Sequence, residues 1–159
     1  MKRRLIITAL AAIALASTPA PASADVTFFL GFSPTPDVRQ ARGFAVGINL
    51  LIVGFEFDYA NVKEDVSKAA PGLKAGMFNV LVMTPTSGVQ LYGTIGGGMY
   101  REYAIGETET QFGTNVGGGL KFTLAGPLRL RLDYRVYALK GNPLQKTPQR
   151  FYAGLNIAF

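Results

Sequence analysis

The side chains best suited to chemistry in this sequence are acidic and basic residues spaced two positions apart. Glu56 and Asp58 form one such pair, and a longer series begins at Arg129. In an extended strand, side chains two positions apart point to the same face. We therefore expect each series to place its charges on one face of a strand, where they could form ion pairs or line a polar passage. The complete set is Glu56, Asp58, Lys121, Arg129, Arg131, Asp133, Arg135 and Arg150.

The composition excludes several classes of function. The sequence contains no cysteine and no histidine. The first absence rules out disulfides and thiolate metal sites. The second rules out nucleophiles activated by imidazole and the commonest zinc ligand sets. We therefore predict that the protein is not an enzyme, has no catalytic residues, and uses no cofactor or metal.

The first 24 residues have the pattern of a cleaved secretory signal. Basic residues at positions 2–4 precede an apolar run at 5–15, and Ala22-Ser23-Ala24 forms a small-residue cleavage site. We therefore divide the chain into a signal peptide, 1–24, and one domain, 25–159. Because three of the 16 Lys and Arg residues lie in the signal, the mature charge is +3 rather than +6. A charge this small gives no support for nucleic-acid binding.

The rest of the chain consists of short segments in which apolar and polar residues alternate, a pattern typical of strands with two different faces. In the segment 53–60, Phe55, Phe57 and Tyr59 alternate with Glu56 and Asp58. We predict eight strands, at residues 26–33, 42–50, 53–60, 74–84, 89–100, 112–124, 128–137 and 150–159. Long polar connections are predicted at residues 34–41, 61–73, 101–111 and 138–149, alternating with short ones.

The eight predicted strands and their alternating connections indicate an all-β protein, an eight-stranded antiparallel up-and-down transmembrane β-barrel. The long loops would all lie at one end. A soluble lipocalin-like periplasmic binding barrel shows the same alternation with inside and outside exchanged. The polar faces favour the membrane barrel, because they are largely Gly, Asn, Thr and Tyr rather than the Lys and Glu of a surface in water. Tyr59, Tyr100 and Tyr134 lie near predicted strand ends, where membrane barrels carry aromatic girdles.

The final strand carries a resemblance to a known family. The segment F-Y-A-G-L-N-I-A-F places Phe151, Leu155, Ile157 and Phe159 on one side and ends the chain on an aromatic residue. With the alternating segment 55–59 and the segment 91–98, it resembles the small eight-stranded outer-membrane barrels, namely the OmpA-type transmembrane domain and its OmpX-like and opacity-protein relatives. The resemblance implies a cell outer membrane of the Gram-negative type as the location. It also implies that the barrel assembly machinery reads the four residues as an assembly signal, and that outer-membrane lipid and lipopolysaccharide are partners.

Two interpretations of the charged set follow from the barrel. The charges could line the gate or selectivity filter of a narrow channel for ions or small solutes. They could instead form a structural plug of ion pairs, because burial of an unpaired charge is costly. The plug is favoured, since an interior of eight strands is only wide enough for side chains to fill. The leading hypothesis is therefore a structural or surface-interaction protein that presents four extracellular loops to an extracellular partner.

Overall fold

The computed structural model describes residues 22–86, 88–104 and 107–159. Most of the predicted signal peptide, residues 1–21, lies outside the described residues. Within the described residues, no helix is long and apolar enough to cross a membrane. The strands are β1 Ala22–Ser33, β2 Arg39–Leu50, β3 Val53–Val62, β4 Gly72–Met83, β5 Val89–Ala104, β6 Glu107–Ala125, β7 Leu128–Leu139 and β8 Gln149–Ala158.

These strands form one closed barrel in which every strand pairs antiparallel with its neighbours in sequence. The pairing of β1 with β8 closes the sheet. The predicted eight-stranded antiparallel up-and-down barrel is confirmed. Closure leaves no open sheet edge, so the backbone groups along every strand can pair within the barrel.

The four residues of the predicted assembly signal lie on the outer face of the barrel. Phe151 is the cross-strand partner of Phe32, and Leu155 is the partner of Phe28. Their side chains are 41% and 52% exposed, as are those of Ile157 at 41% and Phe159 at 73%. Two backbone hydrogen bonds join Phe159 to Ala24 beside the last strand pair. The terminal strand therefore contributes apolar surface to the exterior and closes the barrel.

The distribution of polar and apolar side chains is the reverse of that in a soluble protein. Large apolar side chains are exposed on the outer face of all eight strands, for example Phe28, Ile48, Phe55, Phe78, Ile95, Val116, Leu132 and Leu155. The three largest fully buried side chains are those of Arg131, Arg135 and Arg150. An apolar exterior around a polar interior is typical of barrels that span membranes. The lipocalin-like alternative, which requires an apolar interior, is disfavoured.

The connections are shorter than predicted, and one prediction is wrong. Residues 101–104 belong to β5 and residues 107–111 to β6, so most of the predicted loop 101–111 is a paired hairpin. Arg101 pairs with Thr110 in this extension. Antiparallel pairing satisfies backbone groups whatever the side chains are, so a strand that rises beyond the apolar surface can be as polar as a loop.

The remaining long connections are residues 34–38, 63–71 and 140–148, and they lie at the same end of the barrel as the β5–β6 hairpin. We call this end the loop end. The opposite end, with connections 51–52, 84–88 and 126–127, is called the turn end. Tyr100 is 1% exposed and points into the lumen, so its predicted place in an outer aromatic girdle is wrong.

Candidate functional site

The centre of the lumen is an ion-pair network between β3 and β7. The Arg131 guanidinium donates Nη1 to Oε2 of Glu56 and Nη2 to Oε1 of Glu56, the second bond at 3.2 Å. Arg135 donates Nη2 to the same Oε1 at 2.6 Å. One glutamate therefore bridges two arginines from a strand on another side of the barrel. Strict alternation brings this about, because it turns residues 56 and 58 of β3 and residues 131, 133 and 135 of β7 inward.

Asp133 joins the same two arginines on their own strand. Its carboxylate accepts hydrogen bonds from Arg131 Nη2 at 3.3 Å and from Arg135 Nε at 3.0 Å. The hydroxyl of Tyr92, on β5, donates to Asp133 Oδ2 at 2.5 Å and accepts from Arg131 Nε at 2.8 Å. Tyr92 was not among the predicted site residues, yet its hydroxyl ties β5 into the network.

Arg150 on β8 extends the network to Asp58. Its Nη1 and Nη2 donate to the two oxygens of Asp58, each at 2.9 Å. Arg135 Nη1 lies 3.8 Å from the same carboxylate. The Arg150 guanidinium also packs over the rings of Phe29 and Tyr152, 4.8 Å and 5.1 Å from their centroids. This packing gives the guanidinium a rigid apolar support in addition to its ion pair.

A second ion pair lies nearer the turn end. Lys121 Nζ on β6 is 2.6 Å from Asp25 Oδ2 on β1, and both side chains are 1% exposed. Asn49 Nδ2 donates to the same carboxylate oxygen at 2.8 Å. Asp25 is missing from the predicted set because it directly follows the predicted cleavage site. Its position two residues before the inward Thr27 is the pattern that could have revealed it.

The structure places seven of the eight predicted charged residues in the buried lumen. Arg129, the eighth, is only half-buried. It forms no ion pair within the described part of the chain, and its Nε has no hydrogen-bond partner there. The alternation predicts correctly that Arg129 is on the inward face of β7. It lies two residues closer to the turn end than Arg131, outside the network.

The buried network is electrically balanced. Its four cations, Lys121, Arg131, Arg135 and Arg150, face four carboxylates, Asp25, Glu56, Asp58 and Asp133. Such pairing offsets the cost of removing charges from water. A balanced and paired lining offers no excess of one sign with which to select ions.

Apolar clusters lie on both sides of this charged layer. Toward the loop end, Met77, Tyr100 and Leu139 belong to a cluster of buried residues that spans several strands. Toward the turn end, Leu81 and Met83 pack with Tyr92. An enclosed cavity beside Arg150 and Tyr137 has a volume of about 10 Å³, which is room for about one water molecule.

Polar contacts attach the connections at the loop end to the ends of the strands. Arg39 donates Nε to the Asp37 carbonyl at 3.3 Å. The backbone amide of Leu144 donates to Glu102 at 2.7 Å, and that of Gln149 donates to Thr35 Oγ1 at 2.8 Å. Arg39 and Glu102 are buried although both fall within predicted loops. These contacts attach the 140–148 connection to β5 and the 34–38 connection to the start of β8.

No protein-family model matches the sequence, and no curated protein matches it either. Solved structures do match. Neisserial surface protein A, NspA, superimposes with a TM-score of 0.68 at 18% sequence identity, covering 87% of this chain and 96% of that protein. The N-terminal β-barrel domain of Pseudomonas aeruginosa OprF superimposes with a TM-score of 0.61 at 17% identity, covering 86% of this chain and 97% of that domain.

A third match is Ail, the attachment invasion locus protein of Yersinia pestis, in complex with the heparin analogue sucrose octasulfate. It has a TM-score of 0.52 at 15% identity, with coverage of 87% of this chain and 97% of Ail. Identities this low carry the fold and not the function. The resemblance drawn from the sequence is confirmed at that level: this chain has the fold of the small eight-stranded outer-membrane β-barrels.

Proposed function

We propose that the protein is an integral outer-membrane barrel of structural or surface-interaction type, located in a cell envelope of the Gram-negative type, and that it is not an enzyme. The observation that carries this proposal is the inversion of polarity, with apolar side chains exposed around the outer face and a balanced ion-pair network inside. In water such an exterior would aggregate, whereas in a bilayer it is stabilised by acyl chains.

The lumen packing favours a structural plug over a channel. Glu56 and Asp133 are each shared between two arginines, and apolar clusters lie on the loop-end and turn-end sides of these arginines. A conducting path would need continuous water through these layers. The network instead links β1, β3, β5, β6, β7 and β8 across the interior, and it holds the barrel closed.

The loop end has the features of an interaction surface. Three different connections each expose a large apolar side chain, namely Val38, Val66 and Leu144 at 65%, 63% and 67%. Single exposed apolar side chains are common on protein surfaces, so the support from this feature lies in its recurrence on three connections at the same end of the barrel. The ion pair between Lys68 and Asp37, at 3.2 Å, joins two of these connections.

The 63–71 connection is also locally ordered. Its Asp65 side chain accepts hydrogen bonds from the Ser67 hydroxyl at 2.6 Å and the Ser67 amide at 3.1 Å. These bonds hold the pKa of Asp65 below its ordinary value. An ordered loop loses less entropy when it binds a partner, which supports a recognition role for this end.

Single-cysteine labelling in intact cells tests both the location and the orientation, because the chain has no cysteine of its own. Lys146→Cys lies in an exposed loop-end connection, and Ala125→Cys is its matched turn-end control. A membrane-impermeant maleimide should label the first variant in intact cells and the second only after the outer membrane is permeabilised. Equal labelling of both in intact cells, or of neither, would contradict the proposal.

A further inference from the structure

A two-residue connection at the turn end, 51–52, carries a leucine in a left-handed backbone conformation. Leu50 and Val53 pair across this connection, and Leu51 between them has a φ of 56°. Such a position is usually filled by Gly, Asn or Asp, because a bulky side chain is strained at positive φ. The backbone therefore gives no reason for a leucine here, and the reason must lie in its side chain.

The side chains around this connection form an uncovered patch, which we call the apolar tip. Leu50, Leu51 and Ile52 are 44%, 64% and 43% exposed. The other turn-end connections differ, since 84–88 consists of Thr, Pro, Ser and Gly, and 126–127 is Gly-Pro. Single exposed apolar side chains are common on surfaces, whereas three in succession form a patch. The apolar tip continues the outer face of β2, where the exposed or half-exposed side chains are Phe44, Val46 and Ile48.

The apolar exterior of β2 is too short to match a bilayer unless it includes the tip. From Phe44 to Leu50 the strand extends about 20 Å along its own axis. A strand tilt of about 35–45° reduces this length to a height of about 15 Å, whereas the apolar band of membrane barrels is about 25 Å tall. Arg42, which is exposed on the outer face, ends the band toward the loop end. The missing height must therefore come from the turn end, where the tip lies.

The charges and backbone groups near the tip are compatible with burial in lipid. Residues 47–55 contain no Lys, Arg, Asp or Glu, whereas the loop-end connection 63–71 contains four charged residues. The carbonyl of Ile52 accepts a hydrogen bond from the Met83 amide at 2.8 Å. Backbone groups surrounded by lipid must be paired within the protein, and this bond pairs the tip with β4.

We propose that the apolar tip lies among the acyl chains of the periplasmic leaflet and anchors the turn end of the barrel there, instead of extending into the periplasm. The inference rests on the proposed membrane location. Burial in lipid stabilises the Leu51 side chain and so offsets the strain of its backbone. A periplasmic protein with an apolar surface is the other conceivable partner. Continuity with the outer face of β2, and the short apolar height of that strand, favour lipid.

The sign of one substitution distinguishes lipid from water at the tip. Asn tolerates positive φ better than Leu does, so in water Leu51→Asn would relieve strain and raise the urea midpoint of unfolding. Among acyl chains the same substitution places an amide in lipid, and we expect a lower midpoint in lipid vesicles. Ala69→Asn is the matched control, because Ala69 has a φ of 50° and is exposed in the loop-end connection 63–71. Its midpoint should rise. A midpoint that is raised or unchanged for Leu51→Asn would overturn the inference.

Fluorescence of single tryptophans measures the position of the tip directly, because the chain has no tryptophan of its own. Leu51→Trp, Ile95→Trp and Leu144→Trp replace side chains that are 64%, 64% and 67% exposed, at the tip, midway along the apolar exterior and in a loop-end connection. In vesicles of lipid with brominated acyl chains, we expect the fluorescence of the first two variants to be quenched. Iodide in the surrounding water should quench only Leu144→Trp.

The Ile95→Trp variant separates failure of this inference from failure of the proposed function. If brominated lipid quenches Ile95→Trp while Leu51→Trp is quenched by iodide alone, the barrel spans the bilayer but the tip lies in water. That result would overturn the inference and leave the tip available to an apolar protein surface. If brominated lipid quenches neither variant, the outer face does not meet lipid, and the proposed function is wrong as well.

Discussion

Arg150 and Asp58 meet across the lumen through two parallel hydrogen bonds of 2.9 Å, although they are 92 positions apart in the sequence. The planar guanidinium satisfies both carboxylate oxygens at once. Both side chains are almost fully buried, so neither can turn to water if its partner is lost.

Asp58→Asn should therefore lower the free energy of unfolding in lipid vesicles by about 3–5 kcal/mol, because it leaves Arg150 buried with an incomplete counter-charge. Asp37→Asn is the matched control. It breaks an ion pair with Lys68 that is about half exposed, for which a change of at most about 1 kcal/mol is expected. Urea titration measures the loss in free energy of unfolding for both variants. Equal losses would show that the buried Asp58–Arg150 pair stabilises the barrel no more than an exposed ion pair does.

Lys121→Met should be destabilising by a similar amount, about 3–5 kcal/mol, because Asp25 would keep its charge with only Asn49 beside it. Adding Asp25→Asn should recover most of that loss. Arg129→Met, which alters a half-buried cation without an ion pair in the described residues, should cost less than about 1 kcal/mol. The same urea titration checks all three variants. A larger loss for Arg129→Met than for Lys121→Met would contradict the assignment of the network.

Ile95→Arg tests which face of the barrel meets lipid. Ile95 is 64% exposed and lies midway along the apolar exterior, where a charge in a bilayer costs about 2–4 kcal/mol. Thr110→Arg lies in the polar part of β6 near the loop end, where the same substitution should cost about 0–1 kcal/mol. If the outer face met water, both substitutions would be nearly neutral. Equal changes in the free energy of unfolding in lipid vesicles for the two variants would therefore contradict the assignment of the apolar face to lipid.

The purified protein should conduct no ions across a planar bilayer. Arg131→Ala should also be silent, because the substitution removes no side chain of the apolar clusters on the two sides of Arg131. Discrete current steps from the unchanged protein that alter in size with Arg131→Ala or Glu56→Gln would instead identify the lumen as a channel.

The sequence predicts the faces of the strands better than the contacts between them. The alternation alone predicts that Glu56, Asp58 and Arg131 face the interior, because side chains two residues apart lie on the same face of a strand. It could not show that Arg131 pairs with Glu56 and Arg150 with Asp58. Those choices depend on the tilt and stagger of strands in the closed barrel, which are properties of the whole sheet.

Two local predictions failed for related reasons. The polarity of residues 101–111 predicts a loop, yet the hairpin continues through most of them because backbone pairing does not require apolar side chains. The position of Tyr100 near a strand end predicts an outer aromatic girdle. Its hydroxyl instead donates to the Lys140 carbonyl at 2.5 Å from within the loop-end lumen, a contact that joins segments 40 positions apart.

Gel migration of the outer-membrane fraction in detergent, with and without boiling, tests whether this barrel spans an outer membrane with its apolar face toward lipid. We expect the protein in this fraction and a band that shifts on boiling, because the closed sheet stays folded in unheated detergent and unfolds when heated. A protein recovered in the soluble periplasmic fraction, with one band under both conditions, would show that the barrel does not span the outer membrane.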